Sequence, residues 1–135
     1  MKSLKLFGIV GALSCALAVI LGAFGAHALK DLLNADLLES YHTANRYHLF
    51  HSGMLVVLYA LGNRLNPGVA RLCGFLWITG IVLFSFSIYL LSCRYLFDLP
   101  GLVVLGPVTP IGGLLIIAGW VTLSVGIWKY RSVSG

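Results

Sequence analysis

Charge is nearly absent from four long stretches of this chain, and that absence constrains the fold more than any motif. Leu6–Ala26, Tyr41–Leu61, Leu72–Leu91 and Val108–Trp128 are mainly apolar, and Arg46 is the one charged residue inside them. A hydrocarbon layer about 30 Å thick takes about 20 helical residues, and in lipid every backbone polar group must be satisfied within the helix itself. The expected fold is therefore all-α: a polytopic membrane protein forming a bundle of four transmembrane helices over 6–26, 41–61, 72–91 and 108–128. The whole chain, 1–135, is expected to be a single integral membrane domain. Only 10% of its residues are charged, against about a quarter in soluble globular proteins. Too little sequence lies between the stretches for a soluble catalytic module.

The net charge of +5 would suggest nucleic acid in a soluble protein, but here the basic residues flank the apolar stretches, where they set orientation. Lys2, Lys5, Arg64, Arg71, Lys129 and Arg131 fall on one side of a four-helix weave. Lys30, Arg46 and Arg94 fall on the other with every acidic residue: Asp31, Asp36, Glu39 and Asp98. This pattern predicts cytoplasmic N- and C-termini, with Trp128 and Tyr130 in the cytoplasmic aromatic belt. Cys15, Cys73 and Cys93 form no Cys-x-x-Cys pair and read as apolar free thiols rather than as a disulfide framework or zinc motif.

The first stretch carries Lys2 and Lys5 ahead of it and a small-x-small triplet, Ala26-His27-Ala28, at its end, as a cleaved signal would. Its apolar run exceeds the 7–15 residues usual for a signal core, so it is expected to stay as an anchor. Gly8, Ala12 and Ala16, and Ala18, Gly22 and Ala26, recur every fourth residue and predict faces that a second helix can approach closely. His27–Ser40 mixes leucines and charges at helical spacing and predicts a short amphipathic interfacial helix, with a break allowed at Asn34–Asp36. Cys73, Gly80 and Ser87, and Gly112, Gly119 and Gly126, recur every seventh residue. These two small-residue stripes suit a tight seam between the third and fourth spans. Cys93–Gly106 is too apolar for a free loop and belongs at the interface or against protein.

The second stretch carries the chemistry. Its apolar run from Leu49 to Leu61 is too short to span, so its helix must begin near Tyr41 or Tyr47 and carry polar residues into one face of the membrane. Residues three, four and seven apart share a helix face, which puts Tyr41, Asn45, His48 and Ser52 on one stripe, with His51 at its edge. His48 and His51, at i and i+3, could both reach one metal ion or haem-sized ligand. His27 and His42 could close such a site, and Ser85, Tyr89 and Ser92 are candidate partners at similar depth. Ionisable groups inside a membrane mark sites or proton paths; the competing reading is that they are headgroup-level anchors, with Arg46 snorkelling. Arg94 and Asp98, at i and i+4, read as a solvated ion pair. There is no phosphate loop, nucleophile motif or dinucleotide fingerprint, and no deep carboxylate pair, so no catalytic residue and no cofactor are assigned.

GAFGAH at Gly22–His27, YHLFH at Tyr47–His51, FSFSIYLL at Phe84–Leu91, and GPVTPIGG followed by GW between Gly106 and Trp120 resemble the YgdD-like family of small bacterial inner-membrane proteins. The resemblance covers nearly the whole chain. It implies a four-helix inner-membrane protein and brings no established activity, so no catalytic residues carry over. His27, Tyr47, His48, His51, Tyr89, Thr109 and Pro110 lie on the matching motifs.

The leading functional expectation is a non-enzymatic membrane protein that binds a lipid, a small amphiphile or a protein partner near the outer leaflet. His27, Tyr41, Asn45, Tyr47, His48, His51, Ser52 and Tyr89 are the candidate ligand-binding residues. The alternatives are a metal or haem protein using His48 and His51 as ligands, and a small transporter or channel subunit acting as a homo-oligomer. Membrane lipids are the expected partners, and nucleic acid is not.

Overall fold

The computed structural model describes the backbone of residues 2–133. The side chains of Lys2, Ser3, Asn63 and residues 130–133 lie outside the described residues, and with them the orienting charges Lys2 and Arg131 and the belt residue Tyr130. The described residues are helical and contain no strand. They form α1 (Lys2–Ala26), α2 (Ala35–Leu61), α3 (Pro67–Ile81), α4 (Ser87–Cys93) and α5 (Val108–Val133), with short 3₁₀ turns at Gly62–Arg64 and Pro100–Leu105. A π-helical turn, Val82–Phe86, joins α3 to α4 without a break in the rod. Three helical rods are long and apolar enough to cross a membrane: Leu4–Ala26, Pro67–Cys93 and Pro100–Lys129. α2, with 27 residues and so about 40 Å long, has the length, but its first half is diluted by Asp36, Glu39 and Arg46.

The predicted interfacial helix over His27–Ser40 does not form as a separate element. Residues 27–33 are turns, and the Asn34 side chain accepts a hydrogen bond from the Leu37 N–H at 2.9 Å. That N-cap satisfies an otherwise orphaned donor and starts a new helix there, so Ala35–Ser40 becomes the first turn and a half of α2. The expected ion pair between Arg94 and Asp98 is also absent. Arg94 turns back to the Leu91 carbonyl and the Tyr95 ring, while Asp98 takes a left-handed conformation with φ of 53°. The Leu99 N–H then reaches the Arg94 carbonyl at 2.9 Å, the hydrogen bond that closes a Schellman end, usually around glycine.

α1 lies antiparallel against α2 and α3 against α5, and α2 joins the two pairs by packing on α3 and α4. The four-residue spacing predicts half of the buried face of α1: Gly8 packs on Tyr59, Ala18 is buried and Gly22 lies against Asn45, while Ala12, Ala16 and Ala26 are exposed. Leu4, Gly11, Ala18 and Gly25, seven residues apart, are also buried, the repeat that keeps one seam facing a partner helix. Between α3 and α5 the small residues allow close contact. A methyl group at Gly112 would run into the backbone of Leu83 and Phe84, and one at Gly119 into the Trp77 indole.

The π-helical turn sets the depth and direction of α4. Trp77, Ile81, Ser85 and Tyr89 are all buried and are spaced by four. In a straight helix each such step rotates about 40° off the seam, so Tyr89 would face lipid. The wider turn absorbs the drift and returns Tyr89 to α2. Widening frees carbonyl groups, and the Ser87 hydroxyl lies 2.6 Å from the Leu83 carbonyl and 2.9 Å from that of Phe84.

Candidate functional site

Two apolar clusters fill the ends of the bundle. One holds Phe7, Leu55, Leu58, Cys73, Trp77 and Leu123, the other Leu29, Leu33, Tyr41, Ala44, Tyr89 and Cys93. Between them lies a polar belt, and His48, with no exposed surface, is its centre. Its Nε2 is 2.9 Å from the Ser14 hydroxyl, which is 2.7 Å from the Ser52 hydroxyl; its Nδ1 is 3.3 Å from the Tyr89 hydroxyl. The Asn45 amide nitrogen donates to the Ala18 carbonyl at 2.7 Å and to the Tyr89 hydroxyl at 3.1 Å. The Tyr41 hydroxyl donates to the Leu21 carbonyl at 2.8 Å, and the Tyr41 and Tyr89 rings lie 4.8 Å apart.

Donor arithmetic gives this chain a direction. A carbonyl only accepts, so the Ala18 contact fixes the Asn45 amide nitrogen, which then also donates to Tyr89. The Tyr89 hydrogen has one remaining acceptor, His48 Nδ1. His48 therefore carries its proton on Nε2 and donates to Ser14, which donates to Ser52. Either direction leaves one terminal hydrogen without an acceptor among the described residues, that of Ser52 in this one and that of Tyr89 in the reverse; a phenolic O–H is a stronger donor and a poorer acceptor than a serine hydroxyl, which favours the direction in which Tyr89 donates.

His51, one turn away, sits in a different environment. Its Nδ1 is 2.8 Å from the Tyr47 carbonyl, and its Nε2 is 3.1 Å from the Trp120 indole nitrogen. The carbonyl can only accept and the indole N–H can only donate, so His51 is neutral with its proton on Nδ1, and both ring nitrogens are taken. It forms one wall of a groove of about 510 Å³ between α2 and α5, lined by Arg46, Tyr47, Phe50, Ile116, Ile117 and Trp120. The Phe50 and Trp120 rings stack at 5.9 Å, and Tyr47 stacks on His51 at 5.8 Å. At the groove's end Arg46 is 2.6 Å from Glu39 and 2.9 Å from the Thr43 hydroxyl. The Arg46 guanidinium holds the Glu39 carboxyl, outside the apolar stretch, below the usual carboxylate range.

The candidate residues thus divide rather than line one pocket. Tyr41, Asn45, His48, Ser52 and Tyr89 are drawn into the interhelical chain; Tyr47 and His51 face the open groove; His27 is exposed in the turn after α1. His48 and His51 do not converge on a common point, because their ring nitrogens address Ser14 and Tyr89 in one case and Tyr47 and Trp120 in the other. Among the described residues no three His, Cys, Asp or Glu side chains come together as a metal site would need. Ser14 and Trp120 were missed as partners of the histidines, since a single serine or tryptophan in an apolar span carries no spacing signal.

The fold and this polar belt define a helical integral membrane protein. Residues 21–113 match the family described as "Protein of unknown function (DUF423)". The chain is 38% identical to the UPF0382 membrane protein YwdK of Bacillus subtilis, over 94% of this chain and 99% of that one. A UPF0382 membrane protein of Staphylococcus saprophyticus is 37% identical over 93% and 99%, and one of Haemophilus influenzae 38% identical over 90% and 93%. The chain belongs to the DUF423 family, whose named relatives are the UPF0382 membrane proteins. No solved structure matches it.

Proposed function

We propose that this protein is a four-span bacterial inner-membrane protein that holds one acidic amphiphile in the groove between α2 and α5. The observation that carries this reading is the groove itself. Apolar walls of Phe50, Ile116, Ile117 and Trp120 end at Arg46, matching an apolar body with an acidic group at one end. Such sites are largely preformed and mostly apolar with a few placed polar groups. The Trp120–His51 hydrogen bond holds one wall in place, which lowers the ordering cost of binding. Arg46 presents five N–H donors, and Glu39 and Thr43 take two of them. The length of α2 and the inward turn of its polar stripe support a fourth span. The clustering of Lys5, Arg64, Arg71 and Lys129 away from Asp31, Asp36, Glu39 and Asp98 supports cytoplasmic termini. Cysteines introduced at Asp31 and Arg64, on either side of α2, should label from opposite sides of the membrane, and labelling from the same side would contradict four spans.

Native mass spectrometry of the full chain, released from nanodiscs containing phosphatidylglycerol, tests the groove. Wild type should retain one lipid, and Phe50→Ala and Arg46→Gln should each lower the retained fraction at least fivefold. Identical retention in both variants would overturn the reading.

A further inference from the structure

A second pocket, of about 430 Å³, adjoins the groove at the end of the bundle that bears the acidic residues. Leu37, Ile88, Leu91, Val103 and Gly106 form its apolar walls, and Glu39, Ser40, Thr43, Ser92, Arg94 and Thr109 place polar groups in it. The two spaces meet at the Arg46–Glu39 pair, with Arg46 lining the groove and Glu39 the pocket. Ser92 is 1% exposed and lines the pocket, and among the described residues its hydroxyl makes no hydrogen bond.

The other polar groups fall into two sets. Arg94 spends one donor on the Leu91 carbonyl and one on the Tyr95 hydroxyl, which leaves three of its five N–H groups free. Thr43 accepts from Arg46, so its own hydrogen remains available. Arg94, Ser92 and Thr43 are therefore donors suited to phosphate or carboxylate oxygens, with Arg geometry able to grip two at once. Glu39 accepts one hydrogen bond from Arg46 through Oε1, and its second oxygen is open to a cation. Serine, threonine and arginine donors beside one carboxylate acceptor do not suit a simple anion, which Glu39 would repel. They suit an anion that carries its own amine.

We propose that this pocket binds a zwitterionic phosphomonoester or phosphodiester of the phosphoethanolamine type, with its phosphate on Arg94, Ser92 and Thr43 and its ammonium on Glu39. The pocket's chemistry stands apart from the reading of the groove. The same headgroup could also arrive as a free, water-soluble phosphoethanolamine.

The test uses the full chain in phosphatidylcholine nanodiscs, with thermal unfolding followed as O-phosphoethanolamine or inorganic phosphate is titrated. O-Phosphoethanolamine should bind at least tenfold tighter than phosphate, and Ser92→Ala and Arg94→Gln should each weaken it at least fivefold. Glu39→Gln should erase the preference for the amine-bearing probe and leave phosphate binding in place. The soluble probe has no tail, so it reads this pocket whether or not the groove takes a chain. Adding phosphatidylethanolamine to the bilayer separates the sources: competition with the soluble probe identifies a lipid headgroup, and lack of competition a free phosphomonoester. Equal affinity for phosphate and O-phosphoethanolamine, or indifference to all three substitutions, would overturn the proposal. So would a folded wild type that responds to neither probe nor to phosphatidylethanolamine.

Discussion

His48 and His51 are one helical turn apart in the same half of α2, and the structure uses them in opposite ways. His48 is enclosed where α1, α2 and α4 meet, and its neighbours are hydroxyls that can donate or accept. His51 faces α5 beside an open groove, and its neighbours are a carbonyl and an indole N–H, each with one role. The same residue type therefore carries its proton on Nε2 at one site and on Nδ1 at the other. Which partner a histidine meets, rather than its depth in the membrane, fixes its tautomer. Both rings are buried with their nitrogens engaged, His48 with no exposed surface and His51 with 4%; His48 is a pin closed in by protein, whereas one side of the His51 ring borders the groove.

The largest effect should come from removing the pin. His48→Ala leaves Ser14 and Tyr89 without their shared partner and opens a cavity. A buried orphaned group costs about 1–3 kcal/mol, and two share this site, so a loss of about 3 kcal/mol is expected in a reversible unfolding titration in bicelles. A loss below about 1 kcal/mol, the size of an ordinary interhelical hydrogen bond in a membrane, would mean that the chain is not a unit. Tyr89→Phe comes next, at about 1–2 kcal/mol, because it strands one Asn45 donor and His48 Nδ1 together.

A matched pair of serines then sharpens the contrast. Ser14 is bonded to His48 and Ser52, whereas Ser85, fully buried one turn above Ile81, has no partner for its hydroxyl among the described residues. Ser14→Ala should cost about 1 kcal/mol, while Ser85→Ala should be neutral or stabilising because it removes an unpaid desolvation. The same sign at both positions would break the account of the belt. At the groove, His51→Gln keeps one donor and one acceptor and should change stability by less than about 0.5 kcal/mol, with its effect appearing in amphiphile retention instead.

The smallest effect belongs to the exposed pair. Exposed ion pairs contribute little, so Arg46→Ala should leave the unfolding midpoint unchanged. Glu39 has a lowered folded-state pKa, so whatever its pairing adds is fully present above the ordinary carboxylate pKa. It is lost only as pH falls through the lower folded value. Stability attributable to this pair should therefore be flat from pH 5 to pH 8.

The apolar stretches announced the helices, because a bilayer demands length and lack of charge, and both can be counted. Seven-residue spacing of Gly112, Gly119 and Gly126 likewise pointed to a close seam, which α3 and α5 form. The face of α1 was only half legible from its small residues, since Gly, Ala and Ser are so frequent there that four-residue and seven-residue repeats both occur. Only contact with α2 separates Gly8, Gly11, Ala18, Gly22 and Gly25, which face it, from Ala12, Ala16 and Ala26, which do not. The capped start of α2 at Asn34 was visible as a break but not as the place where two elements fuse. The π-helical turn leaves no pattern of its own in Val82–Phe86, yet it decides whether Tyr89 meets His48 or lipid. Within the site, the polar stripe of α2 stood out against its apolar surroundings, and its division into a buried chain and an open groove depended on Ser14 and Trp120, residues unremarkable in sequence.

The claim that the two histidines are held in opposite tautomers is open to one direct measurement: the side-chain ¹⁵N spectrum of the full chain in lipid, assigned with His48→Gln and His51→Gln. The structure predicts a protonated, pyrrole-type Nε2 with a pyridine-type Nδ1 for His48, and the reverse for His51. Identical tautomers at the two positions, or rapid averaging of both at His51, would contradict it.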